Sequence, residues 1–171
     1  MDRRTFLTRS VGCTAGLSLI GISGIARDLS AAEEEKTKEQ IFKELDEKVD
    51  KYMPKYMSCS LSSFWALNDQ FQLGADERTL RALWPFTGGL SLKGETCGAV
   101  SGSMLALGYY FEPRNAEEAA KTGSSMAHGG TFMDRFKEAF TSTRCWGVQK
   151  HLFGRYYDAT KPEEQKEFML F

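Results

Sequence analysis

The chain has 171 residues, a formal net charge of −1, 42% hydrophobic residues and 26% charged residues. This suits one globular domain, is too short for two ordinary ones, and excludes collagen-like and low-complexity chains; 12% aromatic residues argue against disorder. The balanced charge gives no electrostatic footprint for nucleic acid.

The first thirty-two residues differ from the rest. Arg3-Arg4-Thr5-Phe6-Leu7 precedes an uncharged stretch from Ser10 to Ala26, and the segment ends in Ser30-Ala31-Ala32. A basic start, an apolar middle and a small-residue exit describe a signal peptide, and the arginine pair resembles the twin-arginine export signal. Asp2 and Thr8 stand where that signal often has Ser/Thr and Lys. A membrane span needs about 20 mostly apolar residues. This stretch is shorter and is interrupted by Gly12, Gly16, Gly21 and Gly24. Cleavage after Ala32 or Ala26 is therefore expected, with no permanent span left behind. Cys13 lies before most of the apolar stretch, which disfavours lipidation there. The expected organisation is a signal peptide over 1–32 and one domain over 33–171 in the periplasm or an equivalent extracytoplasmic space. The resemblance implies a route that exports folded proteins, many of them loaded with a metal or redox cofactor.

From Glu33 the pattern is helical. Ile41, Leu45, Val49, Tyr52 and Tyr56 mark one helix face, with Pro54 expected to kink or end it. A second helix is predicted from about Ser58, carrying Phe64, Leu67 and Phe71, with Gly74 as its stop. Asp76 can cap a third, carrying Leu80, Leu83 and Trp84 before Pro85. A Gly-rich loop, Thr87 to Thr96, leads into a buried helix over Cys97–Gly108. A short helix at Ala116–Lys121 and a polar loop containing His128, Gly129 and Gly130 come next. Phe132, Phe136 and Phe140 then recur every four residues, a further helix. Cys145–Phe153 and Pro162–Leu170 complete the set, Pro162 suiting a first turn. Strand alternation is nowhere sustained. The expected fold is a single all-α domain of six or seven helices.

The chemistry rests on cysteine. After the first segment the chain keeps Cys59, Cys97 and Cys145, an odd number at long spacings. No Cys-x-x-Cys, Cys-x-x-Cys-His or phosphate-loop motif is present, which excludes thioredoxin-like motifs, the usual zinc knuckles and covalent haem c. Thr96 can cap the helix after the loop, placing Cys97 in its first turn, where free N–H groups and the helix dipole lower a thiol pKa. A thiolate binds metal or attacks a disulfide. Cys59 follows Ser58 at another helix start, and Cys145 can open a third, so the three could converge. Gly98, Gly102 and Ala106 leave a flat stripe suited to a second helix or a flat cofactor such as non-covalent haem. An equally open reading makes the glycines packing positions and Cys97 a small buried hydrophobe. In that reading two cysteines form one structural disulfide with a spare thiol.

Cys59 at a helix start, the Gly88-Gly89 loop, the string Cys97-Gly98-Ala99-Val100-Ser101-Gly102, and then Phe136 and Cys145 resemble the C_GCAxxG_C_C family of redox-active proteins. The resemblance runs from about Lys51 to Phe171. It implies redox activity through a metal, an iron–sulfur cluster or thiol chemistry, with a redox partner protein. By match, Cys59, Cys97 and Cys145 take the first three of the family's four cysteine places; the fourth would fall after Glu164–Phe171, so either the sequence is truncated or this member works with three cysteines, with His128 or His151 as candidate replacements that no motif supports. Two function classes follow. In the first, the three cysteines bind an iron–sulfur cluster or other thiolate-bound metal, or cycle between thiol and disulfide with Cys97 as the attacking thiolate. In the second, the domain is a non-catalytic binding module whose Gly stripe receives a partner helix. A spare thiol also allows a site shared between subunits of a homo-oligomer. Trp65, Trp84 and Trp146 are expected in the core, and the methionines as filler.

Overall fold

The computed structural model describes residues 36–111, 115–119 and 123–168. The expected signal peptide lies outside them. The chain divides into two compact units, one ending at Lys43 and one from Glu44 to Phe171.

In the first unit the described residues begin α1 (Lys38–Tyr56). Its start is a capping box: the Thr37 N–H donates to Gln40 Oε1 at 2.7 Å, and the Gln40 N–H donates to Thr37 Oγ1 at 3.3 Å. The helix thus begins at Lys38, one turn before Ile41, the first residue of the apolar face. Pro54 lies inside the helix, which continues only to Tyr56.

The second unit is built on helices. They are α2 (Cys59–Phe71), α3 (Glu77–Leu83), α4 (Gly98–Phe111), α5 (Ala116–Ala119), α6 (Gly123–Phe140), α7 (Cys145–Phe153) and α8 (Pro162–Phe168), with a 3₁₀ turn at Trp84–Phe86. The fold is all-α; among the described residues extended pairing is limited to an isolated antiparallel bridge between Thr96 and Arg144.

Capping explains several boundaries. Ser58 is the N-cap of α2, its side chain accepting the Leu61 N–H. Asp76 caps α3, accepting from the N–H groups of Arg78 and Thr79. The second helix stops at Phe71 rather than at Gly74, because Gln72 adopts the left-handed conformation (φ 51°) and its N–H closes on the Asn68 carbonyl.

The most extensive helix contact joins α2 and α4. Leu61, Phe64, Leu83 and Ala106 form the buried core, with Trp65, Leu67, Leu80 and Tyr109 packed around it. The Phe64 and Tyr109 rings meet edge-on at 5.6 Å between centroids. At the end of α1, Tyr52 donates to the Asp69 carboxylate, and Trp65 Nε1 donates to the Tyr56 hydroxyl at 2.8 Å.

Two expectations change. The segment holding His128, Gly129 and Gly130 is helix, not loop, because α6 already begins at Gly123. Tertiary packing outweighs the cost of glycine in a helix. The His128 ring stacks on Phe111 at 4.6 Å, and Gly129 faces the Met104 side chain so closely that a Cβ there would lie 2.9 Å from its methyl. Trp84 and Trp146 are not core: they are 57% and 43% exposed. Leu83 and Cys145 take the inward places, and the next residue on a helix points roughly 100° away. Trp65 is partly buried against the core as expected.

Candidate functional site: three converging thiols

Each cysteine stands at a helix start. Cys59 is the first residue of α2, after the cap Ser58. Cys145 is the first residue of α7, after Arg144. Cys97 immediately precedes α4, and its carbonyl accepts the Ser101 N–H at 3.0 Å, so Cys97 itself is the N-cap. Thr96 does not cap, contrary to expectation, because its backbone belongs to the bridge with Arg144.

That bridge draws two of the cysteines together. The Cys97 N–H donates to the Thr143 carbonyl at 2.8 Å, and the Cys145 N–H donates to the Glu95 carbonyl at 2.6 Å. Side chains alternate across a bridged strand, so Cys97 and Cys145 fall on one face, diagonally opposed. The Gly-rich loop makes the approach possible. A Cβ on Gly89 would lie 2.6 Å from Cys145 Cβ and 2.8 Å from the Glu95 nitrogen. The loop carries strain: Gly88, Gly89, Leu90, Ser91 and Leu92 all have φ between 51° and 73°. For Leu90, Ser91 and Leu92 each left-handed conformation costs roughly 1–2 kcal/mol. Strain of this kind collects at functional sites.

Cys59 enters through the glycine stripe. A Cβ on Gly98 would lie 2.9 Å from the Ser60 nitrogen and 3.1 Å from Cys59 Cβ, and one on Gly102 would lie 2.3 Å from the Ser60 carbonyl oxygen. The face offered by Gly98 and Gly102 is thus filled by α2 of the same chain, and Ala106 is in the core. The stripe brings Cys59 beside Cys97.

All three thiols are free. Cys97 and Cys145 are buried, 6% and 7% exposed. Cys59 keeps part of its surface exposed, yet its sulfur lies deep. Burial pushes the Cys59 thiol up to about 12, and the Cys97 and Cys145 sulfurs push the same way. Burial also pushes Cys97 up to about 11, although the Ala99 and Val100 N–H groups donate to its sulfur and pull it down. The helix start acts as expected but is outweighed by desolvation. Cys145 is raised by burial too, against a hydrogen bond from Gln149 Nε2 at 3.3 Å. At neutral pH the resting centre therefore holds protonated thiols.

His128 and His151 are both exposed, and each packs on a phenylalanine: Phe111 and Phe140. Among the described residues no group of three His, Cys, Asp or Glu side chains is disposed to hold a metal ion. Residues that sequence reasoning missed are Gln149 and Tyr156. Gln149 lies four residues after Cys145, a helical spacing that points it at the sulfur. Tyr156 is close to Gly94, where a Cβ would lie 3.0 Å from its hydroxyl. Thr96 and Val100, flanking Cys97, also line an apolar groove of about 620 Å³ with Leu83, Phe86, Met104 and Met133.

A family model described as "Putative redox-active protein (C_GCAxxG_C_C)" matches residues 57–168, a span that contains all three cysteines and both glycines of the stripe. No curated protein and no solved structure matched the chain. The chain belongs to the C_GCAxxG_C_C family.

Proposed function

We propose that this family member is an exported thiol–disulfide redox protein, with Cys59 and Cys97 as the exchanging pair and a dithiol protein as its partner. The observation that carries the reading is the convergence of three free thiols at helix starts, with Cys59 partly exposed and Cys97 held under two N–H donors. The arginine pair near the N-terminus supports export, and an oxidising compartment suits a working disulfide.

In the oxidised protein a partner thiolate attacks the Cys59 sulfur, which lies deep but belongs to the one cysteine of the three whose residue keeps part of its surface exposed. The Cys59–Cys97 bond breaks, a mixed disulfide forms, and Cys97 leaves as a thiolate that the Ala99 and Val100 N–H groups stabilise. The second partner thiolate then attacks its own mixed-disulfide sulfur and releases the Cys59 thiolate. The partner dithiol has become a disulfide, and two electrons have entered the pair. In reverse, Cys97 is the attacking thiolate that closes on Cys59 and frees the partner. A better-stabilised thiolate leaves faster, which assigns Cys97 the leaving role and Cys59 the attacked one.

An iron–sulfur cluster or other thiolate-bound metal would fall to Cys59, Cys97 and Cys145. Among the described residues they are not disposed around a single metal ion. Both readings are tested on protein purified without air. Thiol counting and peptide mapping of oxidised and reduced samples should find a Cys59–Cys97 disulfide only after oxidation, and Cys59→Ser and Cys97→Ser should each remove it. Iron with acid-labile sulfide and broad visible absorption would overturn the dithiol reading in favour of a cluster.

A further inference from the structure

Gln149 is a buried polar side chain that the exchange above does not use. It stands one helical turn beyond Cys145 in α7 and is, like Cys145, 7% exposed. Its Oε1 accepts the Tyr157 backbone N–H at 2.9 Å, and its Nε2 donates to Cys145 Sγ at 3.3 Å. A backbone N–H can only donate, so the amide oxygen must face Tyr157 and the NH₂ group must face sulfur. The amide is therefore set by the chain that returns after α7, whatever the state of the thiol. Cys145 Sγ always meets a donor, and a hydrogen bond to a charged sulfur is stronger than one to a neutral thiol.

The other titratable groups facing Cys145 do not assist it. Cys59, Cys97 and Tyr156 each oppose a second negative charge when ionised. Glu95 and Arg144, whose backbones meet Cys145, form an exposed ion pair at 3.6 Å and offset each other.

We propose that Gln149 is a positioning residue of the thiol centre: it holds Cys145 as a hydrogen-bond acceptor and readies this third thiol to enter the Cys59–Cys97 pair. The step is an internal exchange. The Cys145 thiolate attacks Cys97 Sγ, the Cys97–Cys145 bond forms, the Cys59–Cys97 bond breaks, and Cys59 leaves as a thiolate that takes up the proton Cys145 gave away. No oxidant is consumed. The bridge between Thr96 and Arg144, which sets Cys97 and Cys145 on one face, supplies the approach. The inference rests on the reading of the cysteines as a thiol redox centre.

The test uses the full chain labelled at cysteine Cβ and titrated by NMR in the reduced state. It compares Gln149→Glu, which keeps an acceptor for the Tyr157 N–H but loses the donor, with Gln149→Leu, which loses both. The Cys145 midpoint should rise by at least one pH unit in both, a tenfold change in proton affinity, with Cys59 and Cys97 moving less. Should Gln149→Leu fail to fold, Gln149→Glu carries the comparison. An unmoved Cys145 midpoint in folded Gln149→Glu overturns the positioning role, while Cys59–Cys97 exchange stands untouched. In acid-trapped oxidised protein, peptide mapping should find both Cys59–Cys97 and Cys97–Cys145, the latter forming at least tenfold more slowly in Gln149→Glu. A wild-type protein that forms only Cys59–Cys97 overturns the third-thiol step. One that forms no disulfide at all sinks the proposed function, even where the titration shifts.

Discussion

Gly102 is where the thiol centre depends most directly on backbone packing. A methyl group at this position would lie 2.3 Å from the Ser60 carbonyl oxygen and 3.1 Å from its carbonyl carbon. Ordinary carbon contacts begin near 3.5 Å, so α2 and α4 would have to separate by about 1 Å. Overpacking costs roughly 1–3 kcal/mol where side chains can adjust, and here the obstacle is backbone, which puts the cost at the upper end. Alanine recovers about 1 kcal/mol of helix propensity relative to glycine. The net expectation for Gly102→Ala is a loss of about 2 kcal/mol. Gly108 lies on the same helix, and a methyl group there would meet nothing within 4 Å, so Gly108→Ala should gain about 1 kcal/mol. For a domain of this size that is a fall of roughly 6–10 °C in Tm against a rise of roughly 3–5 °C. Urea and thermal unfolding of the reduced protein, with an unchanged urea dependence, measure both. If Gly102→Ala proves as stable as Gly108→Ala, the packing argument for the stripe is refuted.

Three further outcomes follow from the same geometry. Cys59 and Cys97 keep their protons to about 12 and about 11, so two protons accompany two electrons; the midpoint potential should fall by about 59 mV per pH unit from pH 6 to 9. A slope of about 30 mV per pH unit would show that one thiolate is already present at rest, and a flat profile that both are. Reduced protein should lose stability as pH rises from the ordinary thiol value of 9.0 toward about 11. In that window the unfolded chain has released thiol protons that the native state still holds, so the native state binds more protons and stability falls with pH; urea midpoints at pH 8 and pH 10.5 test the sign. Phe64 is fully buried in the core, and Phe64→Ala should cost about 3–5 kcal/mol, measured by chemical denaturation; a loss below 1 kcal/mol would mean that the core does not rest on the α2–α4 contact.

Much of the architecture is local and was legible in the chain. Ser58 before Cys59, Asp76 before α3, Pro162 at the start of α8, and Phe132, Phe136 and Phe140 at helical spacing all name their elements, because caps and amphipathic faces are settled within one or two turns. The placing of Cys59 and Cys145 at helix starts followed from the same signals. The state of the thiols did not. A helix start lowers a thiol pKa locally, but how deeply the sulfur is buried depends on the whole fold, and burial outweighs the dipole.

Sequence alone therefore determined the helical class, most of the caps, the three cysteines and the family pattern around Cys97. Tertiary structure decided the rest. It turned Thr96 from a cap into a bridge partner of Arg144 and made Cys97 the cap. It carried a helix through Gly129-Gly130, filled the Gly98–Gly102 face with α2, and left Trp84 and Trp146 at the surface. Above all it brought together thiols separated by long stretches of chain and set Gln149 between Cys145 and the Tyr157 N–H. Such meetings require loops to close and helices to pack, a cost met by burial across the whole core, and no short window of sequence records which distant residue answers it.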